Sequence, residues 1–385
     1  MTFEAPPLAK TVAALPAFVP FVGPLAIERQ LGRRFDLRLG ANESAWGVSP
    51  KARAAMERSL RDCAWYGDPE NYELREALAF RHRVSPANIL VASGIDDVLG
   101  LIVRCFVDSG DAVVTSQGTY PTFVYHAQGY GAVVHRVPYD GDRVDLSRLA
   151  ETACRQHARI VYLANPDNPS GTWRSATELL EFAEALPRRA VLLLDEAYSD
   201  FAPPEALPAI DVGQPRVVRC RTFSKAHGLA GLRIGYAVAH SETVAALDRI
   251  RLHFGVNRVA QAGALASLGD ERFVSAVIAD VARGVEHYGR LAHRVGLRPV
   301  PSATNFVAMD VGDREAASRL TAALLERGVF VRRATEPPMD QWIRVTVGLP
   351  EQRAAFESVI GGLLSEAGEG EAAWSTSAPT GKAQR

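Results

Sequence analysis

Lysine is scarce in this chain. The 385 residues contain four, Lys10, Lys51, Lys225 and Lys382, and arginine makes up the rest of the 43 basic residues. Chemistry that needs a side-chain amine therefore has few candidates. Excess charge of one sign is also missing, because the formal net charge is −1. That balance argues against a broad basic surface for nucleic acid and favours small-molecule partners. Cys63, Cys105, Cys154 and Cys220 are far apart, with no C-x-x-C pair and no zinc-ligand spacing. They read as reduced thiols of a cytoplasmic protein, with no metal site. No apolar run reaches the roughly 18 residues of a membrane span. The opening MTFEAPPLAK lacks the basic-then-apolar order of a signal peptide. No segment recurs at a fixed period.

What the chain does have is apolar content. Hydrophobic residues make up 47% of it, enough at this length for a large core and two or three folding units. Residues 1–40 are Pro-rich, then apolar, and read as an arm. Residues 366–385, rich in Gly, Ala, Ser and Thr, read as a tail without fixed structure. Between them, apolar runs at 88–93, 111–116, 132–137, 158–165, 190–195, 216–222 and 233–239 predict strands. Helical periodicity at 96–107, 120–130, 145–156 and 175–186 predicts helices between them. AVLLLD at 190–195 is apolar throughout until its last residue, as suits a strand covered on both faces. This alternation predicts an α/β fold with a mostly parallel central sheet flanked by helices. From 241 the pattern turns helical through ETVAALDRIRLHF, and residues 300–365 mix the strands TNFVAMD and IRVTVG with helices. The expected organisation is a large domain at 41–260 and a smaller α+β domain at 261–365 that packs with the arm.

In open α/β sheets, ligands bind beyond the carboxyl ends of the strands. Five of those ends carry chemistry here: Ser93-Gly94-Ile95-Asp96, Gly118-Thr119-Tyr120-Pro121, Asn165 to Gly171, Asp195-Glu196-Ala197-Tyr198 and Thr222-Phe223-Ser224-Lys225. One rim would then hold backbone N–H donors, an aromatic face, an amide, a carboxylate, hydroxyls and an amine. Pyridoxal 5′-phosphate (PLP) needs that set. Taken singly, each feature has a plainer reading. A lone lysine is usually a solvated charge, an aspartate after a strand is often a cap, and N-P-x-N-P is good turn chemistry. Their convergence on one rim argues against the plainer readings.

From about Pro20 to Leu364 the chain resembles fold-type I PLP aminotransferases of class I/II, and among them the histidinol-phosphate aminotransferase family. The marks are LGANESAWGVSP (39–50), YGDPENYELREAL (66–78), NPDNPSG (165–171), DEAYSDF (195–201), RTFSKAHGLAGLRIGY (221–236), PSATNFV (301–307), and FVRR with IRVTVG (330–348). Any one of them alone is weak; together they are specific.

The resemblance implies a role for each residue. Lys225 would form the Schiff base with PLP and later move protons. Asp195 would pair with the pyridine nitrogen and favour its protonated form. Tyr198 and Asn168 would hydrogen-bond the cofactor's phenolic oxygen, and Tyr120 would stack on its ring. The phosphate would meet the backbone N–H groups of Gly94, Ile95 and Asp96 at a helix start, the hydroxyls of Thr222 and Ser224, and Arg233. Ile95 departs from the small or hydroxylic residue common there, which removes a side-chain donor and keeps the backbone one. The side chains of Asp96 and Asp97 read as helix caps. Tyr66 would reach the phosphate in the partner subunit's site, which implies a homodimer.

For substrates, Arg344 resembles the arginine that holds an α-carboxylate and Arg332 a second anion-binding arginine; Asn42 and Glu43 lie in a loop bordering the substrate. Phe21 aligns where the family carries a tyrosine that contacts the substrate phosphate, and phenylalanine has no hydroxyl. That weighs against histidinol phosphate itself. The expected reaction is a ping-pong transfer of an amino group from a small-molecule donor to a 2-oxo acid, 2-oxoglutarate. The alternatives are an aromatic or other specialised amino-acid aminotransferase and, with different chemistry, a decarboxylase resembling threonine-phosphate decarboxylase. A regulator's effector domain would need an added DNA-binding module, and no helix-turn-helix precedes the fold. His227 and His253 read as packed or bridging, and Cys220 as an inert thiol.

Overall fold

A computed structural model describes residues 6–16 and 22–368 of the chain. Seven strands form the larger sheet, in the spatial order 89–92, 235–238, 217–222, 191–195, 160–164, 112–116, 133–137. All neighbouring pairs are parallel except those made by Gly235–Val238, which runs against both its neighbours. The α/β architecture with a mostly parallel sheet is therefore observed. The inner strands Ile160–Ala164 and Val191–Asp195 are buried at every position, as their apolar sequence requires.

Helices cover both faces. Ile95–Phe106 lays Val98, Leu99 and Ile102 on one face, where Phe123 and Tyr162 join them. Leu149 and Phe182 pack on the other face with Val161, Leu163, Leu192 and Leu194. Ser175 and Glu178 form a reciprocal capping box that starts the helix Ala176–Ala185.

A four-stranded sheet follows later in the chain, in the order 332–333, 342–346, 306–310, 298–299, antiparallel throughout. The helices Glu271–Arg294, Arg314–Glu326 and Pro350–Gly368 accompany it. The arm contributes to this core. Leu37–Arg38 pairs in parallel with Val329–Phe330, and Leu37 and Leu39 are buried among Val307, Ile343 and Phe356. Burying each leucine is worth about 1.5–3 kcal/mol, which fixes the start of the 39–50 loop.

Several boundaries differ from the sequence reading. ETVAALDRIRLHF is not one helix, because Ser241–Asp248 ends before the arginines. The helix Arg258–Leu268 packs on Pro50–Ser59 and Tyr72–His82. The last strand of the larger sheet starts at Gly235 rather than 233, since Arg233 adopts a left-handed backbone, φ 55°. The final helix runs to Gly368, three residues into the expected tail; the remainder of that tail, and Phe21, lie outside the described residues.

Candidate active site

Parallel strands end together, so the motifs at residues 93–96, 118–121, 165–171, 195–198 and 222–225 meet at one rim. The one reversed strand, Gly235–Val238, starts at that rim, which is why Arg233 just before it joins the group. Gly235 permits the crowding: a Cβ there would lie 3.0 Å from the Ile95 nitrogen. A cavity of about 300 Å³ opens above the rim. It is lined by Ile95, Asp96, Tyr120, Asn168, Asp195, Tyr198, Thr222, Ser224, Lys225 and Arg233 from the larger sheet's side. Arg332 and Arg344 enter from the smaller sheet, and Asn42 and Glu43 from the arm loop.

Lys225 donates through Nζ to the Asn42 carbonyl at 3.0 Å and stands 5.5 Å over the Tyr198 ring. Burial, helped by nearby Arg344, lowers its pKa to about 8. An amine that is partly neutral near physiological pH can attack a carbonyl carbon. Asn42 is a hub. It is buried and left-handed, φ 55°, its Nδ2 donates to the Tyr198 hydroxyl at 2.8 Å, and it exchanges two hydrogen bonds with Thr346 Oγ1. Asn305 Nδ2 donates to the same Asn42 carbonyl that Lys225 uses.

Asp195 lies at the floor. Tyr162 Oη donates to Oδ2 at 2.8 Å and the Ala197 N–H to Oδ1 at 2.9 Å. Burial raises its pKa to about 6. Both donors are neutral, so the carboxylate's charge is left for a cationic N–H.

At the opposite end the helix Ile95–Phe106 opens from Gly94, φ 89°, whose absent side chain leaves room for Arg233; a Cβ would fall 2.6 Å from Arg233 Nη2. Thr222 Oγ1 and Ser224 Oγ are 2.9 Å apart beside this helix start. Asp97 does not cap: from inside the helix it accepts the Ser93 N–H ahead of the N-cap Gly94. Asp96 does not cap either: its carboxylate bridges the Tyr120 hydroxyl at 2.9 Å and Arg233 Nη2 at 3.1 Å. It ties the aromatic face to the phosphate-sized anion cradle.

On the smaller sheet, Arg332 and Arg344 are directly opposite in register. Arg344 Nη1 donates to Asn168 Oδ1, and Nε is buried with no hydrogen-bond partner among the described residues. Burial, with Arg332 a lesser cause, lowers the Arg344 pKa to about 10. Arg332 donates to the Val22 carbonyl at 3.3 Å. Two facing guanidiniums with an unspent donor form a receptor for anionic groups. Tyr66 does not line this cavity: it is 77% exposed and packs against Phe254 with ring centroids 4.5 Å apart.

These groups fit PLP: a helix start with hydroxyls and Arg233 for the phosphate, a flat aromatic at Tyr120, a buried carboxylate for the ring nitrogen, and one amine for the aldehyde. Comparison with known proteins agrees. Residues 36–355 match the family Aminotransferase class I and II. The chain belongs to that family.

Among solved aminotransferases, a histidinol-phosphate aminotransferase from Sinorhizobium meliloti in complex with pyridoxal-5′-phosphate is 42% identical. It superposes with a TM-score of 0.91 over 94% of this chain and 98% of that one. Curated relatives include histidinol-phosphate aminotransferase 2 of Carboxydothermus hydrogenoformans, 36% identical over 90% of this chain and 96% of the relative. The enzyme of the same name from Ralstonia nicotianae is 37% identical over 91% and 96%. A Thermus thermophilus aspartate aminotransferase at 22% identity and TM-score 0.78 shares the fold.

Three residues of this aminotransferase's site escape a reading of its sequence. Tyr162 supports Asp195, while Thr346 and Asn305 hold Asn42. Thr346 follows Arg344 by two in a strand, so alternation alone would have put it on the cavity side. His227 is buried and bonded to Ser267 Oγ at 2.7 Å, a packed role; His253 is exposed, contrary to expectation, because the helix it was assigned to ends earlier. Cys220 is buried and its thiol is pushed well above the ordinary range by burial, which makes it inert.

Proposed function

We propose that this PLP-dependent aminotransferase moves an amino group from histidinol phosphate, or a closely related amine, to 2-oxoglutarate by a ping-pong route, with Lys225 as the Schiff-base lysine. The observation that carries the reading is the single cavity in which Lys225 Nζ, buried Asp195 and the facing pair Arg332 and Arg344 converge. The names of the relatives favour histidinol phosphate as donor.

When bound, PLP supplies an electrophilic carbon and a ring that takes up the electron pair left at the substrate α-carbon. Asp195, ionised, holds the ring nitrogen's proton. Gly94, Ile95 and Asp96 backbone N–H groups, Thr222, Ser224 and Arg233 hold the phosphate, and Tyr120 covers the ring. Tyr198 and Asn168 flank the phenolic oxygen. With PLP bound and its amine free, Lys225 Nζ would take the proton from the substrate α-carbon and deliver it across the bridging nitrogen, two bonds away. The Asn42 carbonyl, already 3.0 Å from Nζ, holds the lysine in place for both transfers. Arg344 binds the α-carboxylate of the amino-acid or keto-acid substrate. Arg332 binds the distal anion, phosphate or carboxylate, with Asn42 bordering the site.

The same reading makes the enzyme a cytoplasmic homodimer of a large domain (41–260) and a small one (261–365) with the cavity between them. Exposed Trp65, Tyr66, Leu252 and Phe254 form an apolar patch that supports a second copy as neighbour, with Tyr66 reaching the partner subunit's phosphate. Single-turnover absorbance of the PLP-loaded protein tests the substrate. Histidinol phosphate should convert the bound cofactor to its amine form, and 2-oxoglutarate should restore it. A cofactor left unchanged by histidinol phosphate would reject that donor, and release of carbon dioxide from an amino-acid substrate in place of a keto product would reject transamination.

A further inference from the structure

Tyr162 has no place in the reaction just described, yet it lies against the residue that grips the cofactor ring. It sits on the inner strand Ile160–Ala164 and is fully buried. Parallel register sets Ala164 opposite Asp195, so alternation puts Tyr162 on the same sheet face as that carboxylate. Its ring is clamped: Phe123 stacks on it with centroids 4.7 Å apart and planes 10° from parallel. Its hydroxyl donates to Asp195 Oδ2 at 2.8 Å. The other oxygen accepts the Ala197 N–H, its one partner among the described residues. Hydrogen bonds to the ionised form are what oppose the desolvation of a buried carboxylate, and the Tyr162 hydroxyl is the largest such contributor at Asp195.

We infer that Tyr162 is a positioning residue for cofactor binding: it aims Asp195 at the PLP ring nitrogen and keeps it charged for that contact. The inference rests on the reading of Asp195 as the ring nitrogen's partner. Phe123 fixes the tyrosine ring, the tyrosine fixes the carboxylate, and the carboxylate fixes the ring.

The test is PLP titration of apoprotein, followed by fluorescence, for wild type and Tyr162→Phe, which removes one oxygen and keeps the stack. The PLP dissociation constant should rise roughly tenfold, the worth of a hydrogen bond to a charged group. The acid limb of PLP affinity should move to higher pH, and kcat should fall with little change in the KM of the amino donor. In an Asp195→Asn background the same substitution should change affinity by less than about twofold, since partners in one chain of action are not additive. Unchanged affinity in Tyr162→Phe, or an equal loss in both backgrounds, overturns the inference. Phe123→Leu frees the tyrosine ring while leaving its hydroxyl and gives a second reading. It should shift the acid limb the same way, and an unmoved limb contradicts the role. If wild type itself takes up no PLP, the proposed function fails instead.

Discussion

At Lys225, burial and the neighbouring Arg344 bring the amine's pKa to about 8. In the proposed role only the neutral amine would attack the cofactor's aldehyde, so about one molecule in ten would be competent at pH 7, far more than for a free lysine. Reconstitution of apoprotein with PLP should therefore speed up with pH and level off above about pH 8. Stopped-flow absorbance would show this; a rate still rising steeply toward pH 10 would contradict the buried-amine account. Lys225→Ala should lose transamination while keeping its fold by circular dichroism. Arg344 has a buried Nε with no partner among the described residues. Its replacement in Arg344→Gln should raise the KM for 2-oxoglutarate roughly a hundredfold, the scale of a lost charge-assisted bidentate contact, with much less effect on PLP affinity. Steady-state kinetics and PLP titration separate the two.

At the scale of elements, the site depends on loops that approach more closely than a side chain permits. Gly228, φ 72°, follows Lys225 by three, and a Cβ there would lie 1.9 Å from the Gly47 carbonyl oxygen. Gly228→Ala must push the lysine loop off the arm loop that carries Asn42. It should cost about 1–3 kcal/mol of stability from backbone strain alone, read by thermal melting, and should lower kcat.

The strand ends were legible in the sequence because each packs its chemistry into a few consecutive residues: Lys225 beside Ser224, Asp195 beside Tyr198. Side chains that act across strands were not. Tyr162 inside IVYLA looks like any core aromatic, and only the register that sets Ala164 opposite Asp195 shows its use. Asp96 looked like a cap because its spacing from the strand fits one, but its partners Tyr120 and Arg233 come from loops 24 and 137 residues away. The break after Asp248 was hidden for a related reason: apolar spacing continues through Ile250 and Leu252 although the helix does not.

For the whole molecule, the cavity joins groups from the arm loop, the larger sheet and the smaller sheet. Tyr66 and Phe254 are exposed and in ring contact, as a surface covered by a second copy in the proposed dimer would be. Mixing Tyr66→Ala with Lys225→Ala should form hybrids in which one site per dimer is intact. Activity above the sum of the two separate variants would place Tyr66 in the partner's site, and purely additive activity would argue against it.

The most direct test of the central claim is the absorbance spectrum of the PLP-loaded protein before and after histidinol phosphate is added with no keto acid present. The account predicts that the visible band of the bound cofactor gives way to the near-ultraviolet band of its amine form, in wild type and not in Lys225→Ala. A wild-type spectrum unchanged by histidinol phosphate but converted by glutamate would keep the aminotransferase and reject the donor. A spectrum unchanged by either would contradict the account.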